Sequence, residues 1–253
     1  MYIVLFVILG MCLASFYHVL AVRTSNNKSI IKPSSHCDYC KKKLKWYELI
    51  PVFSYIIQGG MCNYCHKKLP VSYLLSEILL GFMFGFGYYL YGISYELFAF
   101  LIIVSLTTII IISDFKYLVI LDYPLFISTI IILILKYCYF GFTPTLKAVV
   151  SGAILVIFML IIKLIGDRVY KKESLGWGDV KLALFMGCVL GIKLGFVALI
   201  IGSFVALPYA IYYVSKKEEK EIPYGPFLIS AVLVVFVFMD QLANIINNLF
   251  IIE

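Results

Sequence analysis

Apolar runs of about 20 residues recur from one end of this chain to the other, and that recurrence leaves few folds open. A helical run of that length matches the ~30 Å hydrocarbon core of a bilayer. Inside lipid every backbone N–H and C=O must be satisfied within the structure, so such runs call for a bundle of helices. Composition agrees: 63% of the 253 residues are apolar and 14% are charged, whereas a soluble domain carries about a quarter charged residues. The runs predict an all-α polytopic membrane protein with about eight transmembrane helices: 2–22, 71–91, 97–114, 118–138, 145–166, 180–192, 195–214 and 225–250. The sixth is short. The first has no basic residue before it and little sign of a small-residue cleavage site, so it reads as a span rather than a signal peptide.

Basic residues orient these spans. Eighteen of the 21 lysines and arginines fall in or beside the odd-numbered loops; only Lys136, Lys147 and Lys193 fall in the even ones. The positive-inside rule then places the odd loops in the cytoplasm and both termini outside. The net charge of +7 is what basic loops facing anionic lipid produce. No nucleic-acid motif accompanies it, so no nucleic-acid partner is expected. The run Lys216-Lys217-Glu218-Glu219-Lys220-Glu221 reads as a solvated linker.

The division of the chain follows from the same pattern. Residues 1–22 form a first membrane helix, 23–70 a small polar, basic, cysteine-rich cytoplasmic loop domain, and 71–253 the remaining membrane domain. In the loop, Cys37-Asp38-Tyr39-Cys40 and Cys62-Asn63-Tyr64-Cys65 make two CxxC knuckles. Paired knuckles offer four thiolates to one tetrahedral ion, so Cys37, Cys40, Cys62 and Cys65 are expected to bind zinc. Two disulfides are the other option, disfavoured on a reducing cytoplasmic side. His36 and His66 adjoin the knuckles as substitute ligands. The metal's task would be structural, because so short a loop has little apolar surface to fold around. Cys12, Cys138 and Cys188 lie in spans as small packing residues.

Two carboxylates stand out. Asp114 ends the apolar run Phe98–Ile112, and Asp179, within Gly176-Trp177-Gly178-Asp179, opens the run Val180–Leu190. Ionisable groups at such places are costly and usually functional. Both fall at the predicted cytoplasmic face. Two close carboxylates at low dielectric share a proton: one takes a proton from water while the other polarises a scissile carbonyl. Gly176 and Gly178 allow backbone and substrate to approach closely. Singly, the plainer readings are a helix N-cap for Asp179 and an interfacial carboxylate answered by Lys116 for Asp114. Asp122 stands about two turns past Asp114 if the helix continues. Lys181 either biases the pair or snorkels to lipid phosphates, and the lipid reading is preferred.

Over essentially its full length the chain resembles the bacterial type IV prepilin peptidase (leader peptidase) family of GxGD-type membrane aspartic proteases. The resemblance is carried by Gly10–Val19 with Arg23, Trp46-Tyr47-Glu48-Leu49-Ile50-Pro51, Gly59-Gly60-Met61-Cys62, Pro70-Val71-Ser72-Tyr73 with Glu77, Gly176–Lys181, Ile222-Pro223-Tyr224-Gly225-Pro226-Phe227 and Met239-Asp240-Gln241. It implies a bacterial inner-membrane, multi-pass endopeptidase that cuts the basic leader of prepilins or pseudopilins at the cytoplasmic face. Asp114 and Asp179 would be its catalytic pair, with Gly176, Gly178, Asp122 and Lys181 supporting them. The resemblance also implies N-methylation of the new terminus with S-adenosylmethionine, for which Glu48, Gly60 and Glu77 are the candidate contacts. One departure stands out: where the family often has Ile-Pro-Asp or Ile-Pro-Asn, this chain has Ile120-Leu121-Asp122, with the proline displaced to Pro124.

Two alternatives remain at this level. Another GxGD membrane protease would share the two-aspartate core but not the four-cysteine loop or the Pro-Tyr-Gly-Pro segment. A proton- or cation-coupled transporter would use Asp114 and Asp179 as ion sites, but such sites lie near mid-membrane.

Overall fold

The computed structural model describes residues 1–37, 39–215 and 222–250. The charge run 216–221 lies outside the described residues. Nine α-helices are found among them: α1 Tyr2–Ser25, α2 Phe53–Ile57, α3 Val71–Tyr91, α4 Tyr95–Tyr117, α5 Asp122–Phe140, α6 Phe142–Tyr170, α7 Trp177–Ser215, α8 Gly225–Val237 and α9 Met239–Phe250. The chain forms two compact units, Met1–Ile112 and Ser113–Glu253. Six helices are long and apolar enough to cross a membrane, or seven if the bent pair α8–α9 is one span. The run Ile109–Ile112 shows what drives them. Four consecutive β-branched residues are weak helix formers, yet they are helical, because in lipid the backbone has no other partner.

In the first unit α1 lies against α3 through small residues. A Cβ on Gly10 would come within 2.7 Å of the Leu80 carbonyl, and one on Gly81 within 2.6 Å of Met11. Close backbone approach of this kind drives helix association where lipid removes the hydrophobic advantage. Ala14, His18 and Ala21 continue the buried stripe on α1. Between α1 and α3 the chain carries the two cysteine knuckles and a 3₁₀ turn, Trp46–Leu49.

In the second unit the decisive feature is α7. A straight helix as long as Trp177–Tyr213 would span about 55 Å, nearly twice a bilayer core. It is not straight: Gly191 sits at φ 77°, ψ −177°, outside helical space. Before that break, the Leu184 carbonyl and Cys188 lie against Gly152 of α6. After it, Gly195 meets Leu155 and Phe196 meets Phe158, further along the same helix. The chain therefore runs along α6, turns at Gly191 and returns. Lys136 of α5 donates to the Cys188 and Val189 carbonyls at 2.7 and 3.1 Å, capping the first limb where its acceptors run out. The two limbs correspond to the separate expected spans 180–192 and 195–214.

One expected span is divided. The last span is not one helix: α8 and α9 meet at an 81° bend beside Phe238. Asp240, Gln241, Asn244 and Asn248 make the second piece too polar to continue inward, and α9 is amphipathic instead. Asp114 and Asp122 lie on separate helices, as the separate expected spans 97–114 and 118–138 have it. The chain leaves helix at Leu118 (φ 55°) and re-enters at Asp122, with Pro124 in the first turn of α5, where its missing N–H costs nothing.

Candidate active site

Asp114 is held in the last turn of α4 and Asp179 in the first turn of α7. Both are nearly buried, at 6% and 7% exposure. Asp114 accepts the backbone N–H of Gly225, the first residue of α8. Asp179 accepts the backbone N–H of Gly176 just before its own helix. Each carboxylate thus sits at a helix N-terminus, where free N–H groups and the helix dipole favour negative charge. The plainer reading of Asp179 is half realised: it is the third helical residue rather than the N-cap, and it reaches back as a capping-box side chain does. Its other oxygen, Oδ1, is buried without a hydrogen-bond partner among the described residues.

The two carboxylates are close enough to sense each other's charge. Both border one open cavity of ≈ 1360 Å³. Its apolar wall comes from Phe158 and Ile162 of α6 and from Phe196, Ile200, Phe204 and Leu207 on the returning limb of α7. Ser203 and Tyr224 face it as a hydrogen-bonded pair of hydroxyls 2.7 Å apart.

Close packing at Ile120 brings this end of the bundle together. A Cβ on Gly178 would fall 2.8 Å from Ile120 Cβ, and one on Gly225 would fall 2.6 Å from Ile120 Cδ1 and 2.9 Å from Asp114 Oδ2. Gly176 is less tightly placed; a Cβ there would stand 3.1 Å from Asp179 Oδ2. Lys181 does not reach for lipid as expected. Its ammonium donates to both oxygens of Asp122 at 2.7 and 2.8 Å, tying the start of α5 to the start of α7. The pair became possible once the break at 118–121 turned Asp122 away from the helix of Asp114.

In the first unit the four knuckle cysteines converge. The sulfurs of Cys37, Cys40, Cys62 and Cys65 all lie within 4.8 Å of one another, with Cys37 and Cys65 3.8 Å apart. The edge of a tetrahedron with metal–sulfur bonds of about 2.3 Å is about 3.8 Å, so the donor set fits a single metal ion. The knuckles are near copies. In each, the first cysteine's N–H bonds the carbonyl five residues on, at 3.0 Å in both (Lys42 and Lys67), and Lys41 and His66 take the same positive φ. Backbone N–H groups of Cys65 and Tyr64 pull the Cys62 thiol down to about 7, while at Cys65 burial and the neighbouring sulfurs outweigh the Lys67 N–H and push the thiol up to about 11. His36 and His66 lie outside the cluster, and His36 Nδ1 pairs with the Ser34 carbonyl at 2.9 Å.

Residues 8–91 match the family model for the bacterial peptidase A24 N-terminal domain, and residues 100–211 match that for the type IV leader peptidase family. The chain belongs to the type IV leader peptidase family. Similar proteins include the prepilin leader peptidase/N-methyltransferase of Bacillus subtilis, 26% identical over 246 residues and covering 94% of each chain. That of Vibrio cholerae is 26% identical over 253 residues, covering 93% of this chain and 96% of its own. That of Myxococcus xanthus is 29% identical over 183 residues, covering 72% and 54%. No solved structure matches the chain.

Within this leader peptidase chain the three residues considered for a methyl-donor site each hold a different part of the first unit. Glu48 accepts from Lys45 N–H at 2.7 Å and Asn63 Nδ2 at 2.9 Å, fastening the 3₁₀ turn to the second knuckle. Burial works against its charge, but these bonds and one from Tyr64 outweigh it and hold the carboxyl below its usual range. Gly60 is a turn residue at φ 67°, where a Cβ would stand 3.0 Å from Tyr55 Oη. Glu77, buried on α3, accepts the Val52 N–H at 2.8 Å. Val52 itself sits at φ 62°, ψ −54°, in a γ-turn closed by Phe53 N–H to Pro51 O at 2.6 Å. A β-branched residue there stores strain that the surrounding contacts must hold.

Ile120, Gly225 and Lys163 escaped the sequence reading as site residues. Gly225 carried a signal, since it lies in the Pro-Tyr-Gly-Pro segment; Ile120 and Lys163 carried none beyond their apolar and basic character.

Proposed function

We propose that this chain is a multi-pass aspartic endopeptidase of the bacterial inner membrane that removes the leader of prepilins or pseudopilins. The observation that carries the reading is the pair of buried carboxylates, Asp114 and Asp179, opening on one cavity. One carboxylate acts as general base on a water molecule and its partner, carrying the shared proton, polarises the scissile carbonyl. The roles exchange as the tetrahedral species collapses and the amine leaves with a proton. The buried Oδ1 of Asp179, without a hydrogen-bond partner among the described residues, is open to a water molecule or the substrate. Gly178 lets Ile120 close in, Gly176 leaves room for the Asp179 carboxylate, and Asp122 with Lys181 holds α5 to α7. The apolar wall of the cavity suits the hydrophobic segment of a pilin, and the basic loops favour a cytoplasmic face for both the dyad and the cysteine cluster.

The names of the relatives support a second activity, N-methylation of the new terminus with S-adenosylmethionine. We assign it to residues 23–70 and their flanks, with Glu48, Gly60 and Glu77 as the residues to test. Zinc is the ion we propose for the four cysteines, where it would cross-link two knuckles and do no chemistry.

Mass spectrometry of a co-expressed prepilin tests both activities. Loss of the leader's mass, with addition of one methyl group, is expected from the wild type. Cleavage that survives both Asp114→Asn and Asp179→Asn would end the aspartic mechanism.

A further inference from the structure

Lys163 lies in α6, in the second unit, and its side chain is only 3% exposed. A buried ammonium in a membrane helix is expensive unless every donor is used. Here all three are. Nζ donates to the Leu175 carbonyl at 2.6 Å and to Glu173 Oε1 at 3.3 Å, and it pairs with Asp167 Oδ2 at 3.3 Å. It also stands 5.1 Å from the centre of the Trp177 ring. The short bond goes to a neutral carbonyl rather than to either carboxylate.

That carbonyl belongs to the peptide group joining Leu175 to Gly176. The N–H of the same peptide group faces the carboxylate of Asp179, whose Oδ2 lies 3.1 Å from the point where a side chain on Gly176 would begin. The ammonium thus pulls on one end of a single peptide plane while the carboxylate of Asp179 holds the other. Hydrogen bonds in such a chain polarise one another, and they do so more strongly at low dielectric. The rest of the loop is fixed so that the plane cannot swing away. Asp167 Oδ1 accepts the Ser174 N–H at 2.6 Å and its hydroxyl at 2.8 Å, and the Ser174 hydroxyl sits where a side chain on Gly166 would stand.

We propose that Lys163 is a positioning residue for peptide cleavage: through the Leu175–Gly176 peptide group it fixes the carboxylate of Asp179 and favours its ionised form. The inference rests on the peptidase reading. Other charged or titratable groups act on Asp179 too: Asp114 of α4 and Tyr224 ahead of α8 directly, with Lys172 and Glu173 bordering the same cavity. Lys181, two residues on, is engaged by Asp122. None of these bonds the peptide plane that Asp179 accepts, so Lys163 has a separable effect.

The test uses the purified full-length protein in lipid nanodiscs, cleaving a prepilin across a pH series. Lys163→Met removes the ammonium and keeps the side chain's bulk. The expected result is a lower kcat with little change in KM, and an acidic limb of the rate profile displaced upward by ~0.5–1 pH unit. Lys163→Arg keeps the charge and is expected to return the limb to its wild-type position. Thermal unfolding is followed alongside; if methionine does not fold, Lys163→Gln, which keeps a donor for Leu175 but no charge, decides. A neutral variant that is active with an unmoved limb overturns the inference and makes Lys163 a scaffold residue only. Failure of the wild type to cut, or cutting by Asp179→Asn, overturns the peptidase reading instead.

Discussion

Ile120 Cδ1 lies 2.6 Å from the point where a side chain on Gly225 would begin, so the link between α4 and α5 seats itself directly on the N-terminus of α8. The Gly225 N–H is also the donor to Asp114. One glycine therefore supplies both the room and the hydrogen bond that hold the first carboxylate.

Gly225→Ala is expected to lower cleavage at least ~10-fold, because the added methyl group displaces either Ile120 or the carboxylate, a cost of about 1–3 kcal/mol. Ile120→Ala in the same chain should recover part of the loss. Steady-state cleavage rates of the two single variants and the double variant measure that coupling. Strictly additive losses would show that the two residues do not press on each other.

The carboxylates themselves should behave as a unit. Asp114→Asn and Asp179→Asn are each expected to lower the cleavage rate by ~10³-fold or more, with the double variant little worse than either. Single-turnover cleavage read by mass spectrometry checks this.

The Lys181–Asp122 pair is half exposed, with side chains 37% and 48% accessible, and pairs of this kind contribute about 0–1 kcal/mol. Lys181→Met or Asp122→Asn is therefore expected to lower activity only ~2–5-fold. Exchanging the two charges, Lys181→Asp with Asp122→Lys, should recover part of that activity in the same assay.

Metal analysis is expected to find one zinc per chain, and Cys62→Ser should lose it. The loss should raise amide hydrogen exchange across residues 37–69 while leaving the α1–α3 contact protected. A protein that holds no zinc as wild type would remove the metal from the account of the loop.

Glu48 predicts a pH dependence for the same loop. Its carboxyl is held below the ordinary range in the folded chain. Its stabilising effect is therefore complete above the unfolded value of ~4.3 and is lost as pH falls through the lower folded value. Glu48→Gln should weaken the loop by about 1–2 kcal/mol at neutral pH. The difference from wild type in limited proteolysis should vanish once acidification has passed through the lowered folded-state value.

How much of this was legible depended on the kind of signal. Asp114 and Asp179 could be read because a carboxylate at the end of an apolar run has few reasons to be there. The knuckles could be read because CxxC spacing is itself geometry. Gly225 and Ile120 could not, because their meaning appears only when α8 and the 118–121 link fold against each other. Lys163 looked like one more basic flank until the loop before α7 closed over it. The preference of Lys181 for lipid was wrong for a related reason: its partner becomes reachable only after the chain breaks at Leu118. The final span misled because an apolar average hid a polar second half.

The turn at Gly191 also fixes how deep the chemistry sits. Residues 177–190 of the first limb make a helix about 21 Å long, some 10 Å short of a typical hydrocarbon core. With Gly191 level with one edge of the bilayer, Asp179 lies beneath the opposite headgroups rather than among them. The open cavity beside α6 reaches both carboxylates at that depth. On this geometry the rate of cleavage responds to membrane thickness: thinner bilayers bring the headgroup water to the carboxylates, and thicker ones bury them.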